Sequence, residues 1–244
     1  KFQPGFSETF FREAVRQVPA EKLPLEKGQT PQTLCDLLVP ILFDPDVMPK
    51  RVNQADGADL IQTSACNYYG TDVTQAEAEA FYSKMKEAGD PHHPVMYGMN
   101  SRLVKTGGRL EEKIWKSGGL YGAAIDRIVY WLEKATEVAE NEKQAAVLRK
   151  LVEFYRTGDL KTFDEYTILW VQETEAQTDF TNGFTETYGD PLGLKASWEG
   201  YANFKDMEAT ARTEKLSANA QWFENHSPVD ARFKKTECKG VSAK

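Results

Sequence analysis

Two apolar stripes close together in the chain set the strongest constraint on its fold. Between Leu120 and Val138, residues Ile125, Ile128, Val129 and Leu132 recur at helical spacing. Between Glu142 and Tyr155, residues Val147, Leu148, Leu151, Val152 and Tyr155 do the same. A short link joins the two stretches, and they read as an antiparallel helix pair whose stripes face each other. Gly158 then supplies a C-cap for the second helix.

Other stretches read the same way. Phe6 to Val18 carries Phe10, Phe11, Ala14 and Val15 at helical spacing before Pro19 ends it, and Pro31 to Phe43 carries Leu34, Leu37, Leu38 and Ile41. Asp44 to Gly57, with two prolines, reads as loop. Thr74-Gln75-Ala76-Glu77 is a capping box, in which Thr accepts from a free N–H and Glu reaches back; it opens a helix to about Ala88. Thr162-Phe163-Asp164-Glu165 has the same form and predicts a helix start there, running through Trp170 and Val171.

Asn100 to Gly119, interrupted by Gly107-Gly108 and Gly118-Gly119, reads as extended or irregular. From Asp179 to Tyr188 the period drops to two, and this is the only convincing strand pattern. Asp190-Pro191-Leu192-Gly193 is a turn, after which Ser197 to about Asn225 reads as a long helix through Trp198, Tyr201, Phe204, Leu216 and Phe223. The expected class is mainly α with a short β segment (α+β).

Composition narrows function rather than fold. With 41% hydrophobic and 27% charged residues, the chain is too apolar to stay disordered. A net charge of -7 with no clustered Lys and Arg stripe argues against a nucleic-acid partner. No run of about eighteen apolar residues is present, so no membrane span is expected. Cys35, Cys66 and Cys238 are too few and too widely spaced for a disulfide framework and read as free thiols. The chain begins at Lys1 rather than Met, which suggests a processed or truncated product from which any signal peptide is gone.

The three histidines offer little for a metal. His92 and His93 are adjacent and flanked by prolines, and His226 is remote, so no His-Glu-x-x-His pair can form. No Gly-x-Ser-x-Gly elbow, phosphate loop or dinucleotide fingerprint occurs. The run Asn182 to Pro191 is more informative. Glu186 and Tyr188, two apart on an extended strand, would project from one face roughly 6 to 7 Å apart, a carboxylate and a phenol able to grip successive groups of a peptide. The pattern equally allows a solvated Glu186 at a strand edge and a Tyr188 packed by its ring.

This run, with Gly193 and Glu199-Gly200-Tyr201 beyond it, resembles the Gly-Phe-x-Glu-x-Tyr-x-Asp-Pro-x-Gly stretch of the dipeptidyl peptidase III family, in its bacterial type. Weaker similarity extends to Lys1-Phe2 with Pro4, Tyr69-Gly70 to Phe81, Asn100-Ser101-Arg102-Leu103, Leu132-Glu133-Lys134-Ala135 and Trp170-Val171-Gln172. The resemblance implies a two-lobed zinc metallopeptidase that releases dipeptides from peptide N-termini, with peptide bound between the lobes. The family's zinc-binding His-Glu-x-x-Gly-His helix does not occur here. By resemblance the chain is therefore an internal fragment, inactive alone, with zinc belonging to the full-length enzyme and no metal ligand in this chain. Residues 1–206 would form the helical part of the substrate-binding, non-zinc lobe, and 207–244 the start of the crossover toward the zinc lobe.

Carried over by resemblance, Glu186 holds the substrate's N-terminal ammonium and Tyr188 bonds near the scissile carbonyl as the catalytic residue. Asp190 and Glu199 match acidic substrate-binding positions, although Asp190 is equally a turn residue before Pro191. Thr185 and Thr187 stand where the family commonly has Ile and Ser. The implied partners are peptide substrates and the zinc lobe, and the free cysteines together with the resemblance favour a cytoplasmic location. A non-catalytic helical interaction module or scaffold is the alternative, because fold does not fix function.

Overall fold

A computed structural model describes residues 3–240; Lys1 and Phe2, part of the weaker family similarity, and residues 241–244 lie outside the described residues. The chain forms two compact units interleaved in sequence. Unit 1 comprises 1–113 and 186–197, and unit 2 comprises 114–185 and 198–244. The architecture is α+β, with helices and two small antiparallel two-stranded sheets.

In unit 1, α1 (Glu8–Gln17) starts where the Ser7 hydroxyl accepts from the Phe10 N–H, and α2 (Pro31–Phe43) has Pro at its first position behind a Thr30 cap. The two helices pack through Phe6, Phe11 and Phe43, with an Arg12 to Asp36 ion pair of 3.1 Å at the rim. Helix α3 (Gln75–Ala88) opens with the expected box: Thr74 Oγ1 faces the Glu77 N–H while the Glu77 carboxylate accepts from the Thr74 N–H at 2.9 Å.

Asn100 to Gly119 is more regular than its glycines suggest. Strands β1 (Ser101–Thr106) and β2 (Arg109–Ile114) form a hairpin joined by Gly107 and Gly108, whose φ of 58° and 77° are those a tight hairpin turn demands. Its inner edge is extended by the Tyr68–Gly70 backbone, since Leu103 N–H donates to Tyr68 O at 3.0 Å and Gly70 N–H donates to Leu103 O at 2.7 Å. Glu and Lys dominate β2 and hide its pattern, because only one face of this sheet is covered.

Unit 2 is organised around the expected helix pair, α4 (Gly122–Glu137) and α5 (Glu142–Thr157). Ile125, Val129 and Leu132 meet an α5 stripe that includes Val147, Leu148, Leu151 and Tyr155, all buried. Gly158 caps α5 in the left-handed region at φ 71°. The next helix, α6 (Leu160–Gln172), corrects the second capping box. Asp159, not Thr162, is the N-cap, and its carboxylate takes both the backbone N–H and the hydroxyl of Thr162, at 2.7 and 2.8 Å. The left-handed turn at Gly158 puts Asp159 in capping position three residues earlier than the motif indicated.

The expected strand is present as β3 (Thr178–Glu186), ending two residues before Tyr188. The long helix expected from Ser197 is not formed. Ser197–Phe204 is strand β4, paired with β3, and helices α7 (Met207–Ala218) and α8 (Ala220–His226) follow it. Trp198, Tyr201 and Phe204 also suit a helical period, but aromatic residues and an internal Gly200 favour a strand once a pairing partner exists. Trp198 Nε1–H donates to the Tyr155 hydroxyl at 2.7 Å, and that hydroxyl donates to Asn182 Oδ1 at 2.6 Å. The hairpin is thereby fixed onto α5, with Phe184 wedged against Trp115 at 5.0 Å between ring centroids. No described helix is long and apolar enough to cross a membrane.

Candidate functional site

The segment 186–197 leaves β3, runs entirely within unit 1 and returns to β4. Two turns shape it: Asp190 N–H donates to Thr187 O and Gly193 N–H donates to Asp190 O, each at 3.0 Å. Gly193, at φ 65°, occupies the left-handed region.

The segment has a clamped base and a free end. Asp190 is buried, at 3% exposure, and its carboxylate is fully engaged. Oδ2 accepts from the Tyr69 hydroxyl at 2.9 Å and from the backbone N–H of Leu194 and Lys195 at 2.8 Å, while Oδ1 accepts from the Leu192 N–H at 3.3 Å. Pro191 O accepts from the Gln54 amide at 2.8 Å, and the Ala196 N–H donates to Met99 O at 2.9 Å. Burial, reinforced by the Asp190 carboxylate beside it, pushes the Tyr69 phenol far above its ordinary value, so Tyr69 stays protonated and donates to Asp190.

Lys195 closes the base, and sequence reasoning missed it. Its side chain is fully buried. Nζ donates to the Tyr82 hydroxyl and to Ser101 Oγ, the latter at 3.0 Å, and lies 4.5 Å from the centre of the Tyr82 ring. Both hydroxyls donate in turn to Glu112 Oε1, Tyr82 at 2.8 Å, and Glu112 stands 3.8 Å from Nζ. Burial lowers the Lys195 ammonium to about 8 despite the opposing pull of Glu112 and Asp190. A lone Lys in a Gly-Leu-Lys-Ala stretch gives no sequence signal, because its partners are brought in by three separate elements.

Glu186 and Tyr188 stand at the other end. The Glu186 side chain is half-buried and the Tyr188 ring is 74% exposed, in the turn just past β3 rather than on the strand itself. Among the described residues, neither the Glu186 carboxylate nor the Tyr188 hydroxyl has a hydrogen-bond partner, while the Glu186 backbone oxygen accepts from Ser197 Oγ at 3.2 Å. Glu199 belongs to unit 2, where its carboxylate accepts from Thr185 Oγ1 across the β3–β4 pair at 2.5 Å. The structure thus gathers Glu186, Tyr188 and Asp190 in one segment, with Asp190 turned inward.

Among the described residues, no three His, Cys, Asp or Glu side chains are grouped to hold a metal ion. His93 pairs with Asp90 at 3.0 Å in an exposed turn, and His226 stacks on Trp222. The described residues do not fit zinc.

Comparison with known proteins gives this geometry its context. Dipeptidyl peptidase 3 of Dictyostelium discoideum is 27% identical over 117 residues, which is 48% of this chain and 17% of that protein. The Homo sapiens protein of the same name is 27% identical over 117 residues, 48% of this chain and 16% of its own length. The solved structure of DPP III from Caldithrix abyssi shares the fold at a TM-score of 0.59 and 18% identity, covering 94% of this chain and 40% of that one. Dipeptidyl-peptidase III from Corallococcus sp. strain EGB does so at 0.53 and 19%, with the same coverage. The chain therefore spans well under half the length of the proteins it matches. The model of peptidase family M49 matches residues 98–240, more than half of the chain and the whole segment 186–197, and the chain belongs to that family.

Proposed function

We propose that this chain supplies the peptide-recognition side of a zinc-dependent dipeptidyl peptidase that releases dipeptides from free N-termini, with segment 186–197 facing the substrate. The observation that carries the reading is the contrast within that segment. The Asp190 carboxylate and the Lys195 ammonium of its base are engaged, while among the described residues the Glu186 carboxylate and the Tyr188 hydroxyl have no hydrogen-bond partner. An anchored backbone presenting two unpaired polar groups of complementary chemistry is a preorganised binding edge.

Glu186 receives the substrate ammonium, a charge-assisted bond strong enough to register the peptide by its free N-terminus. Tyr188 donates its phenol proton to the carbonyl oxygen as negative charge develops there. Asp190 acts through the backbone, holding the turn rather than touching peptide, and Glu199, in unit 2, remains an acidic substrate-binding position by family resemblance alone. Zinc, when held by the complete protein, uses residues other than those described here, and this chain alone is inactive. In the complete protein, residues 1–206 belong to the substrate-binding lobe and 207–244 lead toward the zinc lobe. Peptides and that lobe are its partners, and the cytoplasm its compartment.

Steady-state kinetics of the complete protein test the assignment. Glu186→Gln should raise KM for free-amine peptides by about 10- to 100-fold, corresponding to about 1.5 to 3 kcal/mol for a charged hydrogen bond, with kcat little changed. Tyr188→Phe should lower kcat roughly 10- to 1000-fold with KM nearly constant. An N-acetylated peptide should react poorly and be insensitive to Glu186→Gln. Wild-type values for both variants would refute the site.

A further inference from the structure

We infer that Lys195 is a positioning residue for peptide recognition: by locking its buried ammonium into the Tyr82, Ser101 and Glu112 cluster, it holds the segment that presents Glu186 and Tyr188. The inference deepens the proposed function and rests on the reading of Glu186 as the ammonium-binding group.

The geometry sets Lys195 apart from an ordinary core residue. A lysine is seldom buried unless paired, because its charge loses hydration. Here the cost is met by two hydroxyl acceptors, one carboxylate and two aromatic faces, those of Tyr82 at 4.5 Å and Tyr69 at 5.6 Å. These partners come from α3, β1, β2 and the Tyr69 loop, so a single side chain ties the segment to four parts of unit 1. The Lys195 backbone is also pinned, with its N–H on Asp190 Oδ2 and the following Ala196 N–H on Met99 O.

A buried ammonium whose acceptors lie in fixed directions admits few alternative placements, whereas an apolar side chain of equal length can slide. That directionality is what a recognition loop needs. A shift of about 1 Å in a positioned group can cost two orders of magnitude in rate. Among the described residues the Glu186 and Tyr188 side chains make no hydrogen bonds that would hold the peptide-facing end. Glu186 is the last residue of β3 and its carbonyl accepts from Ser197 Oγ, so the strand fixes one side of the segment and the base, through Asp190 and Lys195, fixes the other.

Hydrogen exchange and kinetics on the complete protein separate this role from general stability. In Lys195→Met, the amides of Leu194, Lys195 or its replacement, and Ala196 should exchange at least tenfold faster, while the Leu103 amide, bonded to Tyr68 O in the β1 edge, stays protected. KM for a free-amine peptide should rise about tenfold with kcat within twofold of wild type, and an acetylated peptide should be unaffected. Tyr82→Phe, which removes one acceptor and no charge, should shift both readouts in the same direction by a smaller factor. Unchanged exchange at 194–196 in Lys195→Met overturns the anchor. Faster exchange with unchanged KM, in a background where Glu186→Gln does raise KM, overturns the link to recognition. A silent Glu186→Gln refutes the site assignment itself, and exchange at 194–196 still decides whether Lys195 anchors the segment.

Discussion

Removing the Lys195 charge should change how the stability of unit 1 depends on pH, and the sign follows from the burial of the ammonium. The group titrates near 8 in the folded protein and at its ordinary 10.5 when unfolded. Between those values the unfolded chain holds more protons, so stability rises with pH; below 8 the ammonium is charged in both states and the full burial penalty remains. Going from pH 7 to pH 9 should therefore stabilise the wild type by about 1.3 kcal/mol through this group alone. With a urea dependence near 2 kcal/mol/M, that is an upward midpoint shift of about 0.7 M.

Lys195→Met has no such titration, so the difference between the two proteins isolates it. The Cys66 thiol, pushed up by burial, opposes the trend by favouring the unfolded state at higher pH, but it does so in both proteins. Tyr69 and Tyr82 are raised as well and act only as pH approaches 10. The assay is urea-dependent oxidation of Met99, which is 4% exposed and whose carbonyl holds Ala196, with the 52% exposed Met96 as an internal standard. Tryptophan fluorescence would not serve, because all five tryptophans lie in unit 2. Equal pH shifts in wild type and Lys195→Met would refute the claim that a charged ammonium is buried at this position.

Two further outcomes test the scaffold of unit 2. Tyr155→Phe removes the hydroxyl that links Trp198 to Asn182 and should cost about 1 kcal/mol by breaking two part-buried hydrogen bonds, read by urea unfolding with tryptophan fluorescence. Asp159→Ala should cost about 1 kcal/mol in the same assay, whereas Thr162→Ala, which leaves the Asp159 bond to the backbone N–H intact, should cost less.

The helices were legible because their determinants are local. The α4 and α5 stripes, the Thr74 box and Gly158 each act within one or two turns of chain, and the structure keeps all of them. The alternation from Phe180 to Glu186 was equally local and marked β3. The two-residue spacing of Glu186 and Tyr188 marked them only weakly as a pair, and their roles, with Asp190 and Glu199 beside them, rest on the family resemblance. What the sequence alone could not determine depends on distant partners. Ser197–Phe204 satisfies a helical and a strand pattern alike, and only pairing with β3 and the hydrogen bond to Tyr155 select the strand. The sequence around Asp190 suits a ligand or a turn alike, and the Tyr69 hydroxyl that bonds its carboxylate lies 121 residues away. Lys195 carries no signal at all in its own neighbourhood, because a buried charge is recognisable only by the acceptors gathered around it, and Tyr82, Ser101 and Glu112 meet there solely through the tertiary fold.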